Sequence, residues 1–190
     1  NQSPKESMRQ GMASCTGLSI LLVDAYRAVG IPARFVGTVS WHDNRGNHSW
    51  TEVWLDGEWR VTEYYFPSKL DHLWFMADAS KAVADDRMYA IYATRFGEAD
   101  DWFPMIWAAP DEANPLEGLP QTFGAENVTQ RYIDLAYEDI HNSLTNSQMA
   151  LLSERHPDIQ FWAQLGDWME RPYMYYEQMM YQSLLGTRLD

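Results

Sequence analysis

A helix laid against an antiparallel sheet, followed by a helical C-terminal extension, is the architecture the sequence predicts. Three observations point to it. An apolar stripe at helical spacing lies near the N-terminus, an Asp-Gly dipeptide separates two runs rich in Trp, Val and Thr, and helical patterns take over from Val128 onward. The 190 residues suit one compact domain with an appendage. The expected division is a core over 1–113, a linker over 114–127 and a helical extension over 128–190.

Residues 1–10 are polar and read as a lead-in. The spacing of Leu18, Leu22, Ala25 and Val29 predicts a helix over 15–29 with these residues as its buried stripe and Cys15 on the same side. Ser14 is its expected N-cap. Gly30 and Pro32 stop it, one by permitting a left-handed turn and the other by preventing continuation. Strands are expected over 34–41, 48–55 and 58–65. The last two flank Asp56-Gly57, whose residues suit a type I′ turn with positive φ at both central positions. Farther on, 71–84 is expected to hold short helices and 89–94 a strand. Two prolines and a glycine within 114–120 read as a linker. Helices are expected over 128–141, 148–155, 159–170 and 173–185. The Met-, Tyr- and Trp-rich tail is expected to form core or a surface for self-association or a partner.

Composition excludes several classes of function. Acidic residues outnumber basic ones 27 to 14, for a net charge of −13, which repels nucleic acid and anionic membrane. No apolar run approaches the roughly 18 residues of a membrane-spanning helix. A single cysteine permits no intramolecular disulfide and no Cys-x-x-Cys zinc pattern. The chain begins at Asn1 without a charged-then-apolar leader, which fits a fragment or a processed form.

The hairpin predicts a geometry that carries chemistry. With a two-residue turn at 56–57, Leu55 faces Glu58, Trp54 faces Trp59, Glu52 faces Val61, Trp50 faces Glu63 and His48 faces Tyr65. His48 and Glu63 then share a face as diagonal neighbours, about 7 Å apart at Cβ. That mostly aromatic face is expected to pack on the stripe of the Cys15 helix, with Cys15 meeting His48. A thiol at a helix N-terminus beside an imidazole ionises more readily, because the helix dipole and an imidazolium both favour thiolate. A carboxylate on the far ring nitrogen fixes the imidazole tautomer, and the Cys15 N–H, unpaired at a helix start, suits an oxyanion. Each residue also has a plainer reading. Cys15 could be a small core residue, His48 a hydrogen-bonded hairpin histidine and Glu63 an edge carboxylate. Asp43 and Asp71 stand as substitutes for Glu63. A metal site of His42, His48 and Asp43 is a rival with weak spacing.

Three separated runs, Cys15-Thr16-Gly17-Leu18-Ser19, then Gly30-Ile31-Pro32-Ala33-Arg34, then Gly46-Asn47-His48-Ser49-Trp50-Thr51-Glu52-Val53-Trp54, resemble the transglutaminase-like superfamily, most closely a bacterial cysteine-peptidase branch. The resemblance covers about residues 4–66. It implies an α+β fold with a papain-like core and cofactor-free acyl transfer through a thioester, with hydrolysis of a peptide or amide favoured over transfer to an amine. The residues it implies are Cys15 as nucleophile, His48 as base and Glu63 as the orienting carboxylate. Glu63-Tyr64 stands where the family commonly has Asp-Pro. By looser analogy with papain-like enzymes Gln10 is an oxyanion donor. Trp41 and Trp50 are candidate walls of a substrate groove. A polypeptide or amide is the expected partner, and an exported bacterial location follows from the resemblance alone. The alternatives are a non-catalytic domain that binds polypeptide or glycan on the same scaffold and a true protein-glutamine transglutaminase.

Overall fold

The computed structural model describes residues 3–64, 70–72, 74–111 and 113–142. The chain divides into two compact units, one of Asn1–Leu73 with Ala82–Thr129 and the other of Trp74–Lys81 with Gln130–Asp190.

The first unit opens with helix α1 (Pro4–Gln10) where a lead-in was expected. Its start is fixed by a capping box: Ser3 Oγ accepts from the Glu6 N–H, and Glu6 accepts from the Ser3 N–H, with Pro4 in the first turn. Only Ser7 is buried, so α1 shows no apolar stripe in the sequence. Helix α2 (Cys15–Ala28) starts at its expected cap, Ser14, whose hydroxyl accepts from the Gly17 N–H. Gly30, at φ 83°, turns the chain out of it.

Six strands follow in one sheet: β1 (Ala33–Thr38), β2 (His48–Leu55), β3 (Glu58–Thr62), β4 (Ile91–Thr94), β5 (Asp101–Trp102) and β6 (Gly124–Asn127). Their spatial order is β3-β2-β1-β4-β6-β5, and every adjacent pair is antiparallel. The β2–β3 register is the expected one, from Leu55 opposite Glu58 to Glu52 opposite Val61. Asp56 and Gly57 have φ of 53° and 89°, as a type I′ turn requires. β3 ends at Thr62, so Glu63 follows the strand, and Tyr65 lies outside the described residues. Residues 124–127, expected within a linker, form β6 between β4 and β5. Their polar Gly-Ala-Glu-Asn run carries no strand signature, and neighbouring strands supply the pairing.

The seat of α2 differs from expectation. The buried residues of α2 are Thr16, Gly17, Ser19 and Val23, whereas Val29 is 73% exposed and Ala25 is exposed. The helix lies on the face of β2 that carries Ser49, Thr51 and Val53, opposite to the His48 and Trp50 face. Ser19 Oγ donates to the Ser49 carbonyl at 2.9 Å, Thr51 Oγ1 donates to the Ser19 carbonyl at 3.3 Å, and the Thr16 and Ser49 hydroxyls meet at 3.3 Å. Small polar residues at the contact let the helix approach and find backbone partners there, so the hydrophobic stripe was a misleading guide. Below this polar seam Val23, Phe35, Val53 and Tyr92 form the core with Phe103 and Met105. On the other face Arg34 is buried with Nε 2.5 Å from Glu52 and a second contact to Glu126, its guanidinium 4.1 Å over the Trp59 ring.

The second unit holds helix α3 (Met76–Ala79), the one short helix described within 71–84, and most of helix α4 (Thr129–Asn142). In α4, Tyr132 and Ala136 are buried one turn apart. The helices expected over 148–155, 159–170 and 173–185 lie outside the described residues. Among the described residues no helix is long and apolar enough to cross a membrane.

Candidate active site

Cys15 is the first residue of α2, and His48 is the first residue of β2. Because α2 rests on the face of β2 next to Ser49, its N-terminus arrives at the start of β2. The His48 ring, the Ser49 backbone and the Thr16 hydroxyl lie near enough to the Cys15 sulfur to favour its charged form. The other side of the imidazole is held by Glu63, whose Oε1 is 3.1 Å from His48 Nε2. That leaves Nδ1 as the ring nitrogen that faces the thiol. Glu63 is fully buried, His48 is 6% exposed and Cys15 is part-exposed. The line therefore runs from a half-open sulfur inward to an enclosed carboxylate.

Close packing at this point depends on Gly37, which pairs with Ser49 across β1 and β2. A Cβ at Gly37 would stand 2.9 Å from the His48 carbonyl oxygen and 3.2 Å from the Phe103 ring, nearer than side chains tolerate. Trp41 and Trp50 flank the imidazole. Trp50 stacks on it with centroids 5.7 Å apart, Trp41 lies 6.1 Å from it, and the two indoles stack at 6.2 Å. They are 5% and 0% exposed, so they pack the histidine in place rather than offering an open substrate wall, a correction to their expected role.

The electrostatics of the pair are mutually reinforcing. Burial pushes the Cys15 thiol up, but the hydrogen bond and charge of His48, with the Ser49 N–H and the Thr16 hydroxyl, hold it below the ordinary thiol value. Burial pushes the His48 imidazole down, but hydrogen bonds to Cys15 and Glu63 and the charges of both hold it above the ordinary value. Both directions favour a thiolate–imidazolium pair. In that state both ring nitrogens donate, one to sulfur and one to the carboxylate.

The remaining candidates fall elsewhere. Asp43 is exposed and pairs with Arg45. Asp71 pairs with Arg60 at 2.7 Å and accepts from the Val61 N–H at 2.8 Å, closing the edge of β3. Neither approaches His48 as Glu63 does. Gln10 ends α1 exposed, with no hydrogen bond to Cys15 or His48. Among the described residues no three His, Cys, Asp or Glu side chains group as metal ligands would, so His42, His48 and Asp43 do not converge. Ser49 and Thr16 escaped the sequence reading. The available signal was their adjacency to His48 and Cys15, which points to contact only once the correct face of β2 is known.

Residues 1–64, about a third of the chain, match the family described as the transglutaminase-like superfamily. The matched segment runs from α1 through Glu63 and supports kinship with that superfamily. It contains Cys15, His48 and Glu63 and ends before β4. No curated protein and no solved structure gives a significant match.

Proposed function

We propose that the chain is a cysteine-dependent acyl-transfer enzyme that hydrolyses peptide or amide bonds. The observation that carries this reading is the hydrogen-bonded line Cys15–His48–Glu63 with its sulfur at the start of a 14-residue helix. The Cys15 thiolate attacks the substrate carbonyl carbon, and the carbonyl electron pair moves onto oxygen. The Cys15 N–H, which has no intrahelical acceptor at the helix start, faces the developing negative charge with the positive end of the helix dipole behind it. The imidazolium of His48 gives its proton to the departing amine, leaving a thioester on Cys15. His48, now neutral, takes a proton from water as the water oxygen attacks the thioester. Acid release returns the thiolate and the imidazolium. Glu63 orients the ring and stabilises its charged form throughout.

The test uses the full chain and a mixed peptide pool, with new termini and acyl-protein adducts followed by mass spectrometry. The expected result is cleaved peptides and a hydroxylamine-labile adduct on Cys15, both lost in Cys15→Ala. Equal cleavage by Cys15→Ala, or no cleavage and no adduct with any peptide, would leave a binding domain as the better description. Products joined to an added amine in place of water would move the acceptor, not the nucleophile.

A further inference from the structure

A second concave site lies along the C-terminal half of α2. Its floor and walls are Phe35, Phe103, Trp107, Ile20 and Val23, and it encloses about 360 Å³. That falls within the roughly 300–1,000 Å³ of small-ligand pockets. None of Cys15, His48 and Glu63 lines it. Counting along α2 at 1.5 Å per residue, its lining runs from about 7 to about 18 Å beyond Cys15. Its outer wall is built by residues from Thr94 to Phe123, beyond the segment that matches the superfamily.

Two features of the cleft point to a ligand. The first is unfilled aromatic surface. Phe35 meets Phe103 and Trp107 edge-on at 5.2 and 5.6 Å, forming a rigid floor, while Phe96 and Phe123 at the mouth are 60% and 55% exposed. Large aromatics left in water around a cavity mark sites that an apolar body fills. The second is charge. Arg34, Arg45, Arg60 and Arg87 each pair with a carboxylate. Arg27 and Arg95, both lining the cleft, make no ion pair among the described residues. Arg27 is held in place by its Nε bond to the Ala33 carbonyl at 2.9 Å and by the Phe96 ring at 4.7 Å, which leaves its terminal nitrogens available. Asp24 offsets one of the two charges, so the mouth is net positive in a chain of net charge −13.

We propose that this cleft binds a small carboxylate with a flat apolar body. The aryl body lies on the Phe35–Phe103–Trp107 floor, and the carboxylate meets Arg27 and Arg95 at the mouth. The small volume of the cleft and the two cations that line it fit a free small molecule better than a long polypeptide, which would need an extended groove. This site is independent of the thiol chemistry proposed above.

The test is calorimetric titration of the full chain with 2-naphthoate, 2-naphthalenemethanol and 2-naphthylmethylamine. The expected result is saturable one-to-one binding of naphthoate at least ~10-fold tighter than the alcohol, since a charge-assisted hydrogen bond contributes a factor of that order. The amine should bind weakest. Arg95→Gln should lower naphthoate affinity ~5-fold or more and leave the alcohol unchanged, because only the charged contact is removed. Phe123→Ala should weaken both. Cys15→Ala should bind naphthoate like the parent, which separates this cleft from the thiol site. No saturable binding by millimolar concentrations, equal affinity for carboxylate and alcohol, preference for the amine, or an Arg95→Gln variant that binds naphthoate unchanged would each overturn the proposal.

Discussion

Replacing Glu63 with Gln removes one buried charge and keeps the shape and a hydrogen-bonding atom. The carboxylate sits 3.1 Å from His48 Nε2 with no exposure. Two unit charges 4 Å apart at an effective dielectric near 20 attract by about 4 kcal/mol. Relaxation of the site reduces that figure, but a third of it, about 1.4 kcal/mol, is still a factor of ten in a protonation equilibrium. Without the carboxylate the imidazolium loses support, and the thiolate loses its counter-charge in turn. Cys15 is the chain's single cysteine, so alkylation by iodoacetamide reads that thiol alone. The sign follows from the direction of its shift. The parent thiol lies below the ordinary value, so its alkylation rate holds as pH falls from 9 and drops only through the lowered value. In Glu63→Gln burial acts on the thiol with less opposition, and the drop should come at higher pH than in the parent. Glu63→Asp keeps the charge at shorter reach and should fall between. On any peptide substrate kcat should fall as well, by up to ~10⁴ if the parallel with a serine triad holds. A Glu63→Gln profile that overlays the parent while Asp43→Asn or Asp71→Asn abolishes activity would refute the assignment of the carboxylate.

Three further outcomes are expected. Cys15→Ala should melt within a few degrees of the parent, since the site is half-buried and its fold-bearing contacts belong to Thr16 and Ser19; a large drop in Tm would mean the thiol is structural. Gly57→Val should destabilise the protein by about 1 kcal/mol or more in urea titration, purely through backbone strain, because φ is 89° and a Cβ there meets nothing within 4 Å; an unchanged midpoint would contradict the type I′ turn. Arg34→Leu should cost about 3–5 kcal/mol by removing the Arg34 guanidinium from the buried Glu52 carboxylate, and a loss below about 1 kcal/mol would show that the ion pair does not hold the sheet together.

What the sequence made legible was local. Asp56-Gly57 specified a turn, the turn specified the register, and the register placed Glu63 near His48, because each step depends only on neighbours along the chain. Ser14 before Cys15 and Gly30 after Val29 bounded α2 for the same reason. The choice of sheet face was not local. Leu18, Leu22, Ala25 and Val29 made the better apolar stripe, yet Thr16, Ser19 and Val23 are the buried set, because β2 offers Ser49 and Thr51 as hydrogen-bond partners that hydrophobicity does not register. Arg34 and Glu52 appeared as letters of a resemblance. Their direct opposition across β1 and β2 gives them a structural meaning as a buried ion pair. Strand β6 and helix α1 left weaker traces still. One takes its conformation from neighbouring strands and the other from a capping box.

The correction of the face strengthens the chemical argument. Had α2 packed on the His48 and Trp50 face, the helix would have competed with Trp41 and Trp50 for the space around the imidazole. Seated on the Ser49 face, α2 leaves those indoles to hold the ring, and its first turn meets the end of the strand at Ser49. The contacts at Thr16, Ser19 and Ser49 seat the helix with Cys15 at the His48 end of β2. Burial opposes ionisation of both Cys15 and His48 taken singly, and it is the first influence on each. Both shift toward the charged form nonetheless, so the mutual attraction and the Glu63 carboxylate together outweigh desolvation. Each charge is then conditional on the others. Loss of any member is expected to expose the remaining ones to an uncompensated burial cost, so a neutral amide at position 63 should be felt at the sulfur.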